Sequence, residues 1–145
     1  MQFLIDTNCW MALVRNREHA LDVRDLLLNV PASSIFITDY AAHTLIILLR
    51  RHQLLDGLEA FIATSGIGSK VALIDISPSG FGRIVWAINT LGLDVDDAYQ
   101  HVAAELFGLK LVSLDTYFDK TPNGRLTPAA ALKLFNEALE KKPAE

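Results

Sequence analysis

The chain has 145 residues, 51% of them hydrophobic and 21% charged, with a net charge of -4. A chain of that length has room for one domain, residues 1–145, with a core that needs no disulfide, and its single cysteine, Cys9, excludes an internal one and suits a reducing cytoplasm. The net acidity excludes a protein that coats phosphates through many cations, and apolar runs such as Leu45 to Leu49 fall far short of the ~20 residues that cross a bilayer. The opening Met1-Gln2 leads straight into apolar residues, so no export leader is expected.

In chain order, a first strand is predicted over 2–6, ending on Asp6, and a helix over Asn16 to Asn29, closed off by Pro31. A second strand over 34–38 leads into a helix from Thr38 or Asp39 to about His52, then another from Asp56 to Ser65-Gly66. A third strand is predicted over 71–76. Ser77-Pro78 opens a helix that stops at Gly92, and Asp94 begins the next, ending at Gly108. A fourth strand over 110–114 precedes the Asn123-Gly124 turn, and Thr127-Pro128 caps a final helix through Leu132, Phe135 and Leu139. Strand and helix alternate, which predicts a parallel sheet covered on both faces.

Four apolar runs end on an aspartate: Asp6, Asp39, Asp75 and Asp115. In a parallel sheet such carboxylates gather along the carboxyl edge, where open α/β sheets bind ligands. Each is also a natural cap for the helix that follows. Acids held close together repel one another unless a cation stands between them, so a divalent metal site follows as an expectation. Residues 84 to 109 contain no Lys or Arg but hold Asp94, Asp96, Asp97 and Glu105. The basic residues Arg15, Arg17, Arg24, Arg50 and Arg51 form a separate group, either a solvated helix face or a surface for a polyanion. The helix around Leu45-Ile46-Ile47-Leu48-Leu49 is apolar around most of its circumference, which fits either deep burial or contact with another chain. His101 and Glu105 follow Asp97 at four-residue spacing, and Cys9 reads as a buried thiol.

Leu4-Ile5-Asp6-Thr7-Asn8, Leu93-Asp94-Val95-Asp96-Asp97-Ala98 and Val112-Ser113-Leu114-Asp115, with Phe118 and Asp119 behind, together resemble the PIN domain family, which includes VapC-type ribonuclease toxins. The resemblance implies a three-layer α/β/α domain with a central parallel sheet of four or five strands. It implies a metal-dependent ribonuclease, possible toxin of a toxin–antitoxin pair, with Mg²⁺ or Mn²⁺ at Asp6, Asp97 and Asp115 and Asp119 as a fourth ligand. Thr7 or Ser113 would hydrogen-bond a ligand. RNA would be the substrate, a small antitoxin and a second copy of the chain the partners, and the cytoplasm the location, with no membrane involved. Oxygen ligands suit hard cations that activate water for attack on phosphorus.

The chain departs from the pattern in the helix after the second strand, where the family usually carries a glutamate and His43 stands at the corresponding turn. Three roles are open to His43: metal ligand, proton carrier, or a replacement that leaves the site weak. Asp39, one turn earlier, and Asp96 are substitutes for the missing carboxylate. The alternative function is a catalytically weakened or inactive PIN-fold module that binds RNA or protein. A phosphatase or phosphoacceptor on a similar sheet needs a strand-end lysine, and Lys110 begins its strand, at the wrong end.

Overall fold

The computed structural model describes residues 1–141. Four strands, β1 (Phe3–Ile5), β2 (Ile35–Thr38), β3 (Ala72–Ile74) and β4 (Lys110–Val112), form one parallel sheet in the order β3-β2-β1-β4. Leu126 extends the β4 edge by a parallel bridge to Val112. Seven α-helices cover the sheet: α1 (Thr7–Val14), α2 (Ala20–Asn29), α3 (Asp39–Arg51), α4 (Leu58–Ser65), α5 (Phe81–Leu91), α6 (Val95–Leu106) and α7 (Pro128–Glu140).

The two-residue period of β1 divides the core. Phe3 and Ile5 face a cluster built with Trp10, Leu26, Leu45 and Phe135, whereas Leu4 points to the other side, against Ile84, Ala87, Val102 and Phe118. The α1, α2, α3 and α7 residues thus cover one face and those of α5 and α6 the other, giving three layers. The family-type α/β/α sheet expected from the sequence is what the chain adopts.

Two boundaries differ from the sequence reading. The stretch Thr7–Val14 is itself a helix, which its unbroken apolar run Cys9-Trp10-Met11-Ala12-Leu13-Val14 hides from a periodicity argument because it is buried on several sides. The helix predicted from Asn16 starts only at Ala20, because Asn16 and His19 adopt left-handed backbone (φ 45° and 67°) and break the chain between α1 and α2. Among the described residues no helix is long and apolar enough to cross a membrane.

Candidate active site

The sheet register brings the ends of β1 and β4 level. Ile5 pairs with Val112, and the Asp6 amide donates to the Val112 carbonyl at 2.9 Å, so the two residues after the strands, Asp6 and Ser113, stand side by side. Asp6 is the N-cap of α1, Thr38 of α3 and Asp94 of α6; each side chain accepts a backbone amide of its helix. Three positive helix ends therefore converge on the carboxyl edge, which favours negative charge there.

Asp6 is buried and accepts three hydrogen bonds. Its Oδ1 accepts from the Thr7 amide at 2.8 Å and from Gln100 Nε2 at 2.9 Å, and its Oδ2 accepts from Ser113 Oγ at 2.7 Å. Burial still raises its carboxyl above the ordinary range; the hydrogen bonds oppose that rise and the charge of Asp115 adds to it. The orienting groups are fixed in turn. Gln100 accepts from Thr38 Oγ1 at 3.0 Å, and Ser113 Oγ accepts from Asn8 Nδ2 and from the Asp115 amide, both at 3.0 Å. Asn8 also takes the Leu114 amide at 3.1 Å. Gln100 escapes sequence reasoning, since one buried amide on an amphipathic helix leaves no pattern, whereas Asn8 stands within the Leu4–Asn8 motif.

Asp6 and Asp97 both line a cleft of about 550 Å³ at this edge, together with Thr7, Asn8, Asp96 and Gln100. Partial burial, followed by the charges of Asp94, Asp115, Asp6 and Asp96, pushes the Asp97 carboxyl up to about 7. Asp96 accepts from the Tyr40 hydroxyl, raising that phenol to about 12, and Tyr40 stacks on Tyr99 at 5.0 Å. Asp115 caps the following turn through the Tyr117 amide and is not part of the cleft wall, yet its charge is felt at both Asp6 and Asp97.

Other sequence-predicted residues lie elsewhere. Asp119 is exposed and held by Arg125, Nε to Oδ1 at 3.0 Å; Arg125 Nη1 also donates to the Ser113 carbonyl at 2.9 Å. It thus lies outside the cleft wall with its charge paired. His43 is exposed and absent from the cleft. The residues of α3 that line it are Tyr40, Thr44 and Leu48, a run at four-residue spacing, while Asp39, His43, Ile47 and Arg51 form the adjacent stripe, with Ile47 59% exposed. The two stripes differ by one residue, about 100° around the helix, which turns His43 away and presents Thr44. Asp39 does not replace the missing carboxylate either: its Oδ1 accepts from the Tyr99 hydroxyl at 2.9 Å. Asp75 is exposed and outside the cleft. Cys9 is buried, its thiol raised by desolvation, and His101 is buried on another part of α6 with Nε2 lacking a hydrogen-bond partner among the described residues.

Among the described residues no three His, Cys, Asp or Glu side chains stand where they would hold one metal ion together. The donors nonetheless fit a hard cation by type and charge. Asp97 and Asp6 offer carboxylate oxygens in a cleft whose acids have no bonded cation among the described residues, and Mg²⁺ is commonly held by one or two carboxylates with water completing its shell.

A parallel sheet with buried and clustered acids at its carboxyl edge defines an α/β protein with a carboxylate-rich, cation-seeking cleft. The PIN domain model matches residues 3–124, and the chain belongs to that family. No curated protein matches it. Among solved structures it is similar to a toxin–antitoxin complex from Klebsiella pneumoniae (20% identity, covering 88% of this chain and 98% of that one, TM-score 0.69). It is also similar to PAE2754 from Pyrobaculum aerophilum (17%, 94% and 96%, TM-score 0.71). A third is VapC20 of Mycobacterium tuberculosis, described as a sarcin-ricin loop cleaving toxin (15%, 86% and 97%, TM-score 0.70). At these identities the likeness establishes the fold.

Proposed function

We propose that this chain is an endoribonuclease that requires Mg²⁺ or Mn²⁺ and acts as the toxin of a toxin–antitoxin pair. One observation carries the reading: Asp97 faces the cleft with its carboxyl raised to about 7 by partial burial and then by four neighbouring aspartates, a charge arrangement that a divalent cation would relieve. Asp6 and Asp97 would hold the ion, with Asp115 acting through its charge and through Ser113. When bound, such an ion offsets negative charge on the phosphate and lowers the pKa of water toward neutrality. The protein's own part is orientation. Gln100, Ser113 and the Thr7 amide hold both oxygens of Asp6, and Asn8 fixes Ser113. Membership of the PIN family supports nuclease chemistry, and the similarity to a toxin–antitoxin complex and to VapC20 supports an antitoxin as partner. A second copy of the chain is a further partner in this reading, supported by exposed apolar residues on α5 (Phe81, Val85, Trp86) and α3 (Ile46, Ile47).

Thr44 favours a second reading. It occupies the cleft-facing turn of α3, where a carboxylate would complete the ligand set, so the chain is otherwise a PIN-fold module that binds RNA or protein without cutting. Mixed RNA incubated with Mg²⁺, Mn²⁺ or chelator separates the two. The nuclease cleaves with either ion and not with chelator, and Asp6→Asn abolishes cleavage. Cleavage by neither wild type nor Thr44→Glu under any ion establishes the binding module instead.

A further inference from the structure

The cleft has a second end. Besides the acids it is lined by Arg15, Arg17 and His52, with Glu18 as the one carboxylate at that end and Met11, Ala12, Leu48 and Leu114 between. Of the basic group noted in the sequence, Arg24, Arg50 and Arg51 are exposed away from the cleft, so the fold divides that group and directs Arg15 and Arg17 inward.

Three observations converge on this end. First, neither Arg15 nor Arg17 is bonded to a carboxylate among the described residues; Arg15 Nη1 instead lies 3.3 Å from His52 Nε2. Desolvation and the cations of Arg15, Arg17 and Arg51 hold His52 below its ordinary value, so it is a neutral acceptor that aims Arg15 without cancelling its charge. Second, all the non-glycine residues with left-handed backbone among those described lie beside this cluster. Asn16 (φ 45°) sits between the two arginines, His19 (φ 67°) closes their loop, and Gln53 (φ 58°) follows His52. Asn16 and Gln53 stand just past the C-caps of α1 and α3, so this backbone ends the two helices that carry Arg15 and His52 and closes both at this end of the cleft. Third, α1 links the two ends: Asp6 is its N-cap and Arg15 its C-cap, nine residues apart, which at 1.5 Å per residue is about 13 Å.

We infer that Arg15, Arg17 and His52 form a phosphate subsite for a single-stranded polynucleotide, gripping a backbone phosphate a few nucleotides away from the one lodged among the carboxylates. A stacked strand rises about 3.4 Å per nucleotide, so about 13 Å spans up to about four nucleotides, and a stretched strand covers it in fewer. The apolar floor between the ends, with Tyr40 at its side, offers surface on which bases can lie. This assignment rests on the nuclease reading for the identity of the polyanion, but it is tested by binding alone.

The test is titration of a fluorescent single-stranded 12-nucleotide RNA, with chelator present to prevent cleavage, across a salt series. The variants are Arg15→Gln/Arg17→Gln, the control Arg24→Gln/Lys133→Gln, which removes two charges elsewhere, and Arg15→Lys/Arg17→Lys. The subsite predicts at least about a tenfold weaker Kd for the first and a salt slope shallower by about 1.4, from two lost contacts at 0.7 each. The control stays near wild type and the lysine pair recovers most of the affinity. Equal weakening in the control, or unchanged binding in the glutamine pair, overturns the subsite. So does equally tight, Arg15/Arg17-dependent capture of a 12-residue polyglutamate, which would make the end a peptide site. Absence of cleavage by wild type with any ion leaves this outcome intact and counts only against the nuclease, while thermal melting of each variant verifies that it is folded.

Discussion

At the level of single residues, the site's chemistry turns on the proton at Asp97. Its carboxyl sits near 7 in the folded protein against an ordinary 3.8 in the unfolded chain, so folding favours its protonated form. Below about pH 4 both states carry the proton and the effect vanishes; as pH rises from there to 7 the unfolded chain ionises first and stability is lost, with the full penalty above 7. Asp97→Asn should therefore raise the melting temperature at pH 8 and leave it near wild type at pH 4, as calorimetry at the two pH values would read. Mg²⁺ or Mn²⁺ should raise the wild-type melting temperature more at pH 8 than at pH 5, because the ligand must be ionised to bind. Gln100→Leu removes the donor to Asp6 and strands the Thr38 hydroxyl, which should cost about 1–3 kcal/mol in denaturant unfolding and about 10–100-fold in cation affinity. The acids were legible in the sequence because several apolar runs of a parallel sheet end on them at one edge, although each also serves as a helix cap. The amides that orient them were not, because Gln100 becomes informative only when residues 94 positions apart are brought together.

The elements show where one-dimensional reasoning loses its footing. Helical spacing correctly paired Asp39 with His43, but phase is set by which stripe of α3 meets the sheet, and Ala41, Leu45 and Leu49 are the buried ones. Thr44 is therefore the position to engineer. Thr44→Glu should tighten Mn²⁺ binding in calorimetric titration, whereas His43→Glu, on the exposed stripe, should leave it unchanged. Most strands and helices could be placed because Gly, Pro and capping residues punctuate them. Thr7–Val14 could not, for burial on several sides erased its period. Tight element packing gives a further check at Gly80, in the turn before α5, where a Cβ would meet Ile76 Cγ2 at 2.5 Å. Gly80→Ala should destabilise the fold by about 1–3 kcal/mol in chemical denaturation through overpacking.

For the molecule as a whole, alternating strand and helix was enough to imply a covered parallel sheet, but neither the strand order nor the division into two cores can be read from a sequence whose partners lie far apart. The sheet joins β1 to β4 across more than a hundred positions, and the bonds that build the cleft repeat that separation: Asp6 to Ser113 spans 107 residues and Asn8 to Ser113 spans 105. Contacts so distant along the chain make for slow folding. They also mean that a ribosome synthesising this polypeptide has released the first aspartate long before the serine that anchors it emerges. A cleft laid out in this order is absent from the nascent chain and comes together only when synthesis is nearly finished.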